Sequence, residues 1–159
     1  MLKLVTVGKM KNRALAEICD DFAGRLDRFG GIETVELKDS DIEREAEKML
    51  ESLRNFRGRV YVMSEEGKLF SSREFSKKLE DDELVGGSAF VIGSAYGLSD
   101  KVRARADVLM SMSPMTFTHE FARAILLEQI YRAKTITAKT GYHLSLIHIS
   151  EPTRPLYIS

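Results

Sequence analysis

Two stretches constrain this chain more than any others. Phe90-Val-Ile-Gly-Ser-Ala-Tyr-Gly-Leu98 and Val108-Leu-Met-Ser-Met-Ser-Pro-Met-Thr-Phe-Thr-His119 each run from an apolar strand through a small-residue loop into a helix-start signal. Set side by side at the carboxyl ends of neighbouring strands, the two loops make a crevice walled by backbone amides and carbonyls. Open α/β sheets bind nucleotide-like ligands in such a crevice. The chain holds neither G-x-x-x-x-G-K-S/T nor G-x-G-x-x-G, which disfavours a triphosphate or a dinucleotide. A phosphate-free adenosine derivative fits better.

The rest of the chain alternates in the same way. Apolar runs at Leu2–Val7, Ile32–Leu37, Val60–Met63, Ala89–Ile92 and Val108–Met112 read as five strands, with Glu66-Gly67 turning the chain after the third. Between them lie helical periods. Asn12 caps a helix with Leu15, Ile18, Cys19, Phe22 and Leu26 inward, stopped by Gly30-Gly31. Ser40-x-x-Glu43 and Ser71-x-x-Glu74 read as capping boxes for two more. A long helix from about Thr118 carries Phe121, Ile125, Leu126 and Ile130 and fades at Thr135-Ile-Thr137. Short strands separated by helices of ten or more residues predict a mainly parallel sheet with helices on both faces. Covered faces also account for strands four and five being apolar throughout.

At 159 residues the chain is long enough for one core without disulfides or metal, and its lone Cys19 reads as a packed, inert thiol. One Cys and scattered His residues lack metal-ligand spacing. No apolar run reaches the length of a membrane span, so the cytoplasm is the default expectation. Twenty-four basic and twenty-four acidic side chains cancel, so no whole-protein field draws in RNA or a membrane; such a partner needs a local patch. Residues 33–83 are net acidic, whereas residues 1–32 and 121–143 are net basic. Lys9, Lys11 and Arg13 form one basic surface with the last helix if the two ends meet in space. Leu144 to Ser159 continues neither period and carries two of the three prolines, so residues 1–143 are read as one domain and 144–159 as a non-native or disordered tail.

Several short motifs share this frame: Val5-x-Val-Gly-Lys9, Glu66-Gly-Lys68, Phe90-Val-Ile-Gly93 with Gly97-Leu98, Ser113-x-Met-Thr-Phe-x-His119, Glu128-Gln-x-Tyr-Arg132 and Tyr142-His143. In this order and spacing the chain resembles the ribosomal RNA large subunit methyltransferase H family. That family belongs to the SPOUT superfamily of RNA methyltransferases, and the likeness spans residues 1–143. It implies an α/β fold ending in a C-terminal trefoil knot and S-adenosylmethionine as cofactor. It also implies methylation of N3 of a pseudouridine in 23S ribosomal RNA within the assembled ribosome. The implied partners are a second copy, forming a homodimer whose sites both subunits complete, and the ribosome, with no membrane and no DNA. A knotted methyltransferase acting on another RNA such as tRNA, and a non-enzymatic ribosome-binding module, are the alternatives.

Carried over by position, the cofactor residues are Met63, Gly93, Met112, Ser113, Pro114, Met115, Thr116 and Phe117. Ser94 stands where many relatives have a second glycine, and Thr118 where Pro is common. On the substrate side, His143 and Tyr142 are the candidate catalytic residues, and Arg123, Arg132 and His119 the candidate RNA contacts. N3 of a pseudouridine carries a proton that must leave, and histidine suits a base near neutral pH. His143 is expected to act as that base, or as a stacking or phosphate contact. His119 serves either structure or the ligand, and Tyr142 offers a ring for a looped-out base.

Overall fold

The computed structural model describes residues 1–143. The proposed tail 144–159, with His148, lies outside them. Five strands and five helices follow in order: β1 Leu2–Val7, α1 Arg13–Arg25, β2 Glu33–Leu37, α2 Ile42–Leu53, β3 Arg59–Leu69, α3 Ser72–Asp82, β4 Ser88–Val91, α4 Asp100–Arg105, β5 Val108–Ser111 and α5 His119–Ala138. All strand pairings are parallel, in the order β2-β1-β4-β3-β5.

Strand alternation divides the core. Leu4, Tyr61 and Phe90 turn to one face, where they pack with residues of α1, α3 and α5. Val5, Val62 and Val91 turn to the other, against Ala46, Met49, Leu53 and Val102 of α2 and α4. Both faces are covered, as a parallel sheet of apolar strands requires. Tyr61 and Phe90 stack at a centroid distance of 5.0 Å, and Phe75 of α3 meets both edge-on.

Several local expectations are corrected. β4 and β5 are not neighbours, because β3 lies between them. Glu66-Gly67 does not turn the chain away: β3 runs on to Leu69, and Met63 and Lys68 both register against Met110. The four intervening residues bulge out of the ladder. Gly67 permits this because a Cβ there would lie 2.6 Å from the Leu109 carbonyl oxygen. The cap of α2 is Asp41, which accepts from the Arg44 amide, while Glu45 reaches back to the Ser40 amide. The box at Ser71 and Glu74 forms as read.

Ile18 is 43% exposed rather than inward. A six-residue helix, α4, capped by Ser99, was too short to show a period. α5 does not fade at its β-branched residues. Thr135 donates to the Arg132 carbonyl, and Ser76 of α3 donates to the Ala133 carbonyl beside Thr137, which holds the last turns against α3. The N-terminal basic segment lies along α5, with Arg25 5.6 Å from the Tyr131 ring centroid. The Lys11 and Asn12 amides sit on Glu120 at the start of α5, whereas Arg132 and Lys134 near its end are paired with Glu128 and Glu83.

Candidate active site

A cleft of about 880 Å³ opens at the carboxyl ends of β4, β3 and β5. β4 and β5 contribute their ends and the loops that follow, with Ile92 and Gly93, Met110 and Met112, and β3 contributes Met63 and Ser64 where its bulge begins. The two loops singled out in the sequence therefore share one cleft, with the β3 bulge between them.

Each loop is folded by its own small polar residues. Ser111 Oγ donates to the Ser113 carbonyl and accepts from the Ser113 amide, and Ser113 Oγ accepts from the Met115 amide at 2.9 Å. Such hydroxyl turns bend the backbone without secondary structure. Thr118 then caps α5. In the other loop the Gly97 amide donates to the Ser94 carbonyl, and Gly97 takes φ 92°, a left-handed conformation that favours glycine. This folds Leu98 back over Gly93. A Cβ on Gly93 would lie 2.8 Å from Leu98 Cδ2 and 3.0 Å from the Gly97 carbonyl oxygen. Across the mouth, the Thr116 hydroxyl donates to Glu65, tying the loop after β5 to the bulge.

Of the expected cofactor residues, Met63, Gly93, Met112, Ser113, Met115, Thr116 and Phe117 line the cleft, while Pro114, in the same loop, is exposed and does not line it. His119 lines it too. Sequence reasoning missed Asn12, Ser64 and Glu65. The only sequence signal for the last two was Gly67, which was read as part of a turn.

The expected substrate residues gather elsewhere. At the far end of α5, Arg132 Nη2 lies 2.8 Å from Glu128 Oε2, and the Tyr142 hydroxyl donates to the same oxygen at 2.9 Å. Arg132 Nη1 is 2.9 Å from His143 Nδ1. The Tyr142 ring meets Tyr131 edge-on at 5.0 Å, with the Arg132 guanidinium over its face. Desolvation, then Arg132 and Arg73, lowers the His143 pKa, so the ring is neutral near pH 7. Desolvation and then Glu128 raise that of Tyr142, which stays protonated.

Thirteen residues of α5 separate His119 at the cleft from Arg132, about 20 Å at helical rise. One chain does not bring Tyr142 and His143 to its own cleft. Arg123 joins neither group. Its side chain is 12% exposed and pairs with Glu36 of β2 at 2.6 Å. Among the described residues no helix is long and apolar enough to cross a membrane.

A family model described as a predicted SPOUT methyltransferase matches residues 1–143. The chain belongs to the SPOUT methyltransferase family. It is 39% identical to the ribosomal RNA large subunit methyltransferase H of Streptococcus gordonii, over 89% of this chain and 98% of that protein. The protein of the same name from Clostridium acetobutylicum is 38% identical over the same shares. Among solved structures, the SpoU methyltransferase AviRb of Streptomyces viridochromogenes, in complex with AdoMet, aligns with a TM-score of 0.46 at 12% identity. The alignment spans 84% of this chain and 60% of AviRb.

Proposed function

We propose that this chain, as a homodimer in the cytoplasm, transfers a methyl group from S-adenosylmethionine to N3 of a pseudouridine in 23S ribosomal RNA within the assembled ribosome. One observation carries this function: the loops after β4 and β5 meet in a single cleft with no phosphate cradle. It does so in a chain 39% identical to a large-subunit ribosomal RNA methyltransferase over nearly its whole length. The family's knotted threading is carried over with the function. So is a domain boundary at His143, where the family match stops; residues 144–159 are then an appended tail.

The cleft suits the cofactor. Leu15, Met63 and Met110 offer an apolar seat for an adenine face, and the backbone of residues 112–117 offers donors and acceptors for its edge. Glu65, Glu66 and Glu120 outweigh Arg103, which pairs with Glu66, so the lining favours a sulfonium cation over an anion. When bound, the cofactor supplies an electrophilic methyl group. The chain's own task is to hold the acceptor nitrogen in line with it at near-attack distance.

The N3 proton lies between two ring carbonyls and must leave as the methyl arrives. A guanidinium only donates, so Nδ1 of His143 accepts from Arg132 and the neutral ring carries its proton on Nε2. In this state His143 is a hydrogen-bond donor rather than a base. Donation to a carbonyl beside N3 stabilises the charge left on the base as its proton passes to water. Glu128 positions both Arg132 and Tyr142 for this. Arg123, held by Glu36, tethers α5 to β2.

Because Tyr142 and His143 lie far from their own cleft, a second copy must supply them. An antiparallel pairing of α5 helices does this. Ile18 on α1 and Phe121 on α5, 43% and 52% exposed, are apolar residues open to such a face. The test is complementation. Gly93→Val protein and His143→Ala protein, each strongly impaired on ribosomes, are co-expressed and the mixed dimer purified. Recovered methylation supports a shared site, and none sinks it. Mapping the modified nucleotide by mass spectrometry in a deletion strain tests the target.

A further inference from the structure

Phe70, just past the end of β3, carries two ammonium groups. Lys68 Nζ lies 5.3 Å from its ring centroid and Lys78 Nζ, from α3, lies 5.5 Å away. Among the described residues, neither lysine nor Arg73 has a carboxylate oxygen within 4.0 Å, whereas Lys77 on the same helix is paired with Glu80 and Asp81. Two like charges on one ring repel each other, so folding alone does not favour the arrangement. A ring face does not neutralise charge, and the pair stays available to an anion.

The position of this pair gives it a use. Ser72 Oγ bonds Gln129 Oε1 at 2.8 Å, and Gln129 bonds Glu128, the residue that anchors Arg132 and Tyr142. The start of α3 is thereby fixed beside the Tyr142–His143 end, and Arg73 acts electrostatically on the His143 ring. Glu74 feels the charge of Lys68, but its carboxylate already accepts from the Ser71 amide, while its own amide donates to the Ser71 hydroxyl. We propose that Lys68 and Lys78, set on Phe70 with Arg73 alongside, bind the phosphate backbone of the RNA strand that delivers its target nucleotide to His143. The ring is taken up by the lysines, so the patch reads charge rather than base sequence.

This inference rests on the proposed RNA methylation and is tested separately from it. Methylation of intact ribosomes is measured across a range of KCl concentrations for wild type, Lys68→Gln/Lys78→Gln and Lys68→Arg/Lys78→Arg. S-adenosylhomocysteine affinity is measured by calorimetry for each. The glutamine variant is expected to keep that affinity. Its kcat/KM for ribosomes should fall about tenfold or more, with the log–log salt slope shallower by about 1.5–2, as two lost phosphate contacts require. The arginine variant should keep the wild-type slope. An unchanged kcat/KM, or a fall with an unchanged slope, overturns the assignment; the latter points to a protein contact. The same slope change in Lys48→Gln/Arg57→Gln, remote cations on α2 and the loop after it, also overturns it. Wild type that neither binds the cofactor product nor methylates ribosomes defeats the underlying function instead.

Discussion

Arg132 holds His143 through Nδ1 at 2.9 Å, and that one contact decides what the histidine can do. Protonating the ring would set two cations against each other, so acid releases the contact. Burial is the larger cause of the lowered pKa, with Arg132 and Arg73 adding to it. The unfolded chain therefore binds this proton more readily than the folded one. The group's contribution to stability is whole above about pH 6.5 and is lost as pH falls below it toward the depressed folded pKa. Following the His143 ring by NMR should give a pKa below 6.5, and Arg132→Met should move it upward. A titration above 6.5 in the wild type refutes the contact.

The same geometry separates donor from base by substitution. Glutamine can accept from Arg132 through its carbonyl and still donate through its amide, but it cannot take a proton near neutral pH. His143→Gln is expected to stay within about tenfold of wild-type turnover, while His143→Ala loses about a hundredfold, in the range typical of one positioned group. Cofactor binding should be kept in both. If glutamine is as poor as alanine, His143 is a base and Arg132 must let go during the reaction.

Gly93 is crowded by its own loop, with Leu98 and the Gly97 carbonyl inside the space of a Cβ. Gly93→Val should push residues 94–98 outward and abolish S-adenosylhomocysteine binding. Gly93→Ala should weaken it about tenfold, some 1.4 kcal/mol. Leu98 is a movable side chain, so the alanine variant is expected to fold. Unchanged calorimetric affinity in the valine variant would falsify the cleft assignment.

Away from the cleft, Asp82 is buried and accepts from the Tyr61 hydroxyl at 2.5 Å and the Ser88 hydroxyl at 2.7 Å, joining α3 to β3 and β4. Burial and then Asp82 push the Tyr61 pKa far up, so the phenol remains a donor. Asp82→Ala strands both hydroxyls and should cost about 2–4 kcal/mol, whereas Tyr61→Phe leaves the carboxylate its other partners and should cost about 1 kcal/mol. Urea unfolding of the two variants checks the order. Equal losses would mean that the phenol alone carries the network.

How far the sequence shows this molecule depends on the length scale of each signal. β1 and the caps at Asn12, Ser71 and Thr118 were legible because period and cap chemistry are local. The parallel sheet followed from alternation of elements. Its order did not, since inserting β3 between β4 and β5 is a contact between distant segments. Ile18 misled because helical spacing marks an apolar stripe without saying whether the chain or another copy covers it. The cleft was visible as two loops, but the distance of Tyr142 and His143 from it was not. Motif order along a chain gives no separation in space, and the length of α5 sets that separation.

Gly67 gives the sharpest test of the cleft wall. The residue occupies the one point where the β3 bulge rejoins the ladder, and a Cβ there would meet backbone atoms of Leu109 and Met110 at 2.6–2.7 Å. Backbone cannot swing aside as Leu98 can, so even Gly67→Ala must part β3 from β5 or collapse the bulge. Either change moves Ser64 and Glu65 and breaks the Thr116–Glu65 bridge across the mouth. The expected result is a loss of about 2 kcal/mol or more, in the range of forced overpacking, together with loss of S-adenosylhomocysteine binding at temperatures where the protein stays folded. Thr116→Val removes the bridge without touching the ladder, and should weaken binding while leaving the unfolding midpoint nearly unchanged. If Gly67→Ala binds as wild type does, the bulge is no part of the cofactor wall.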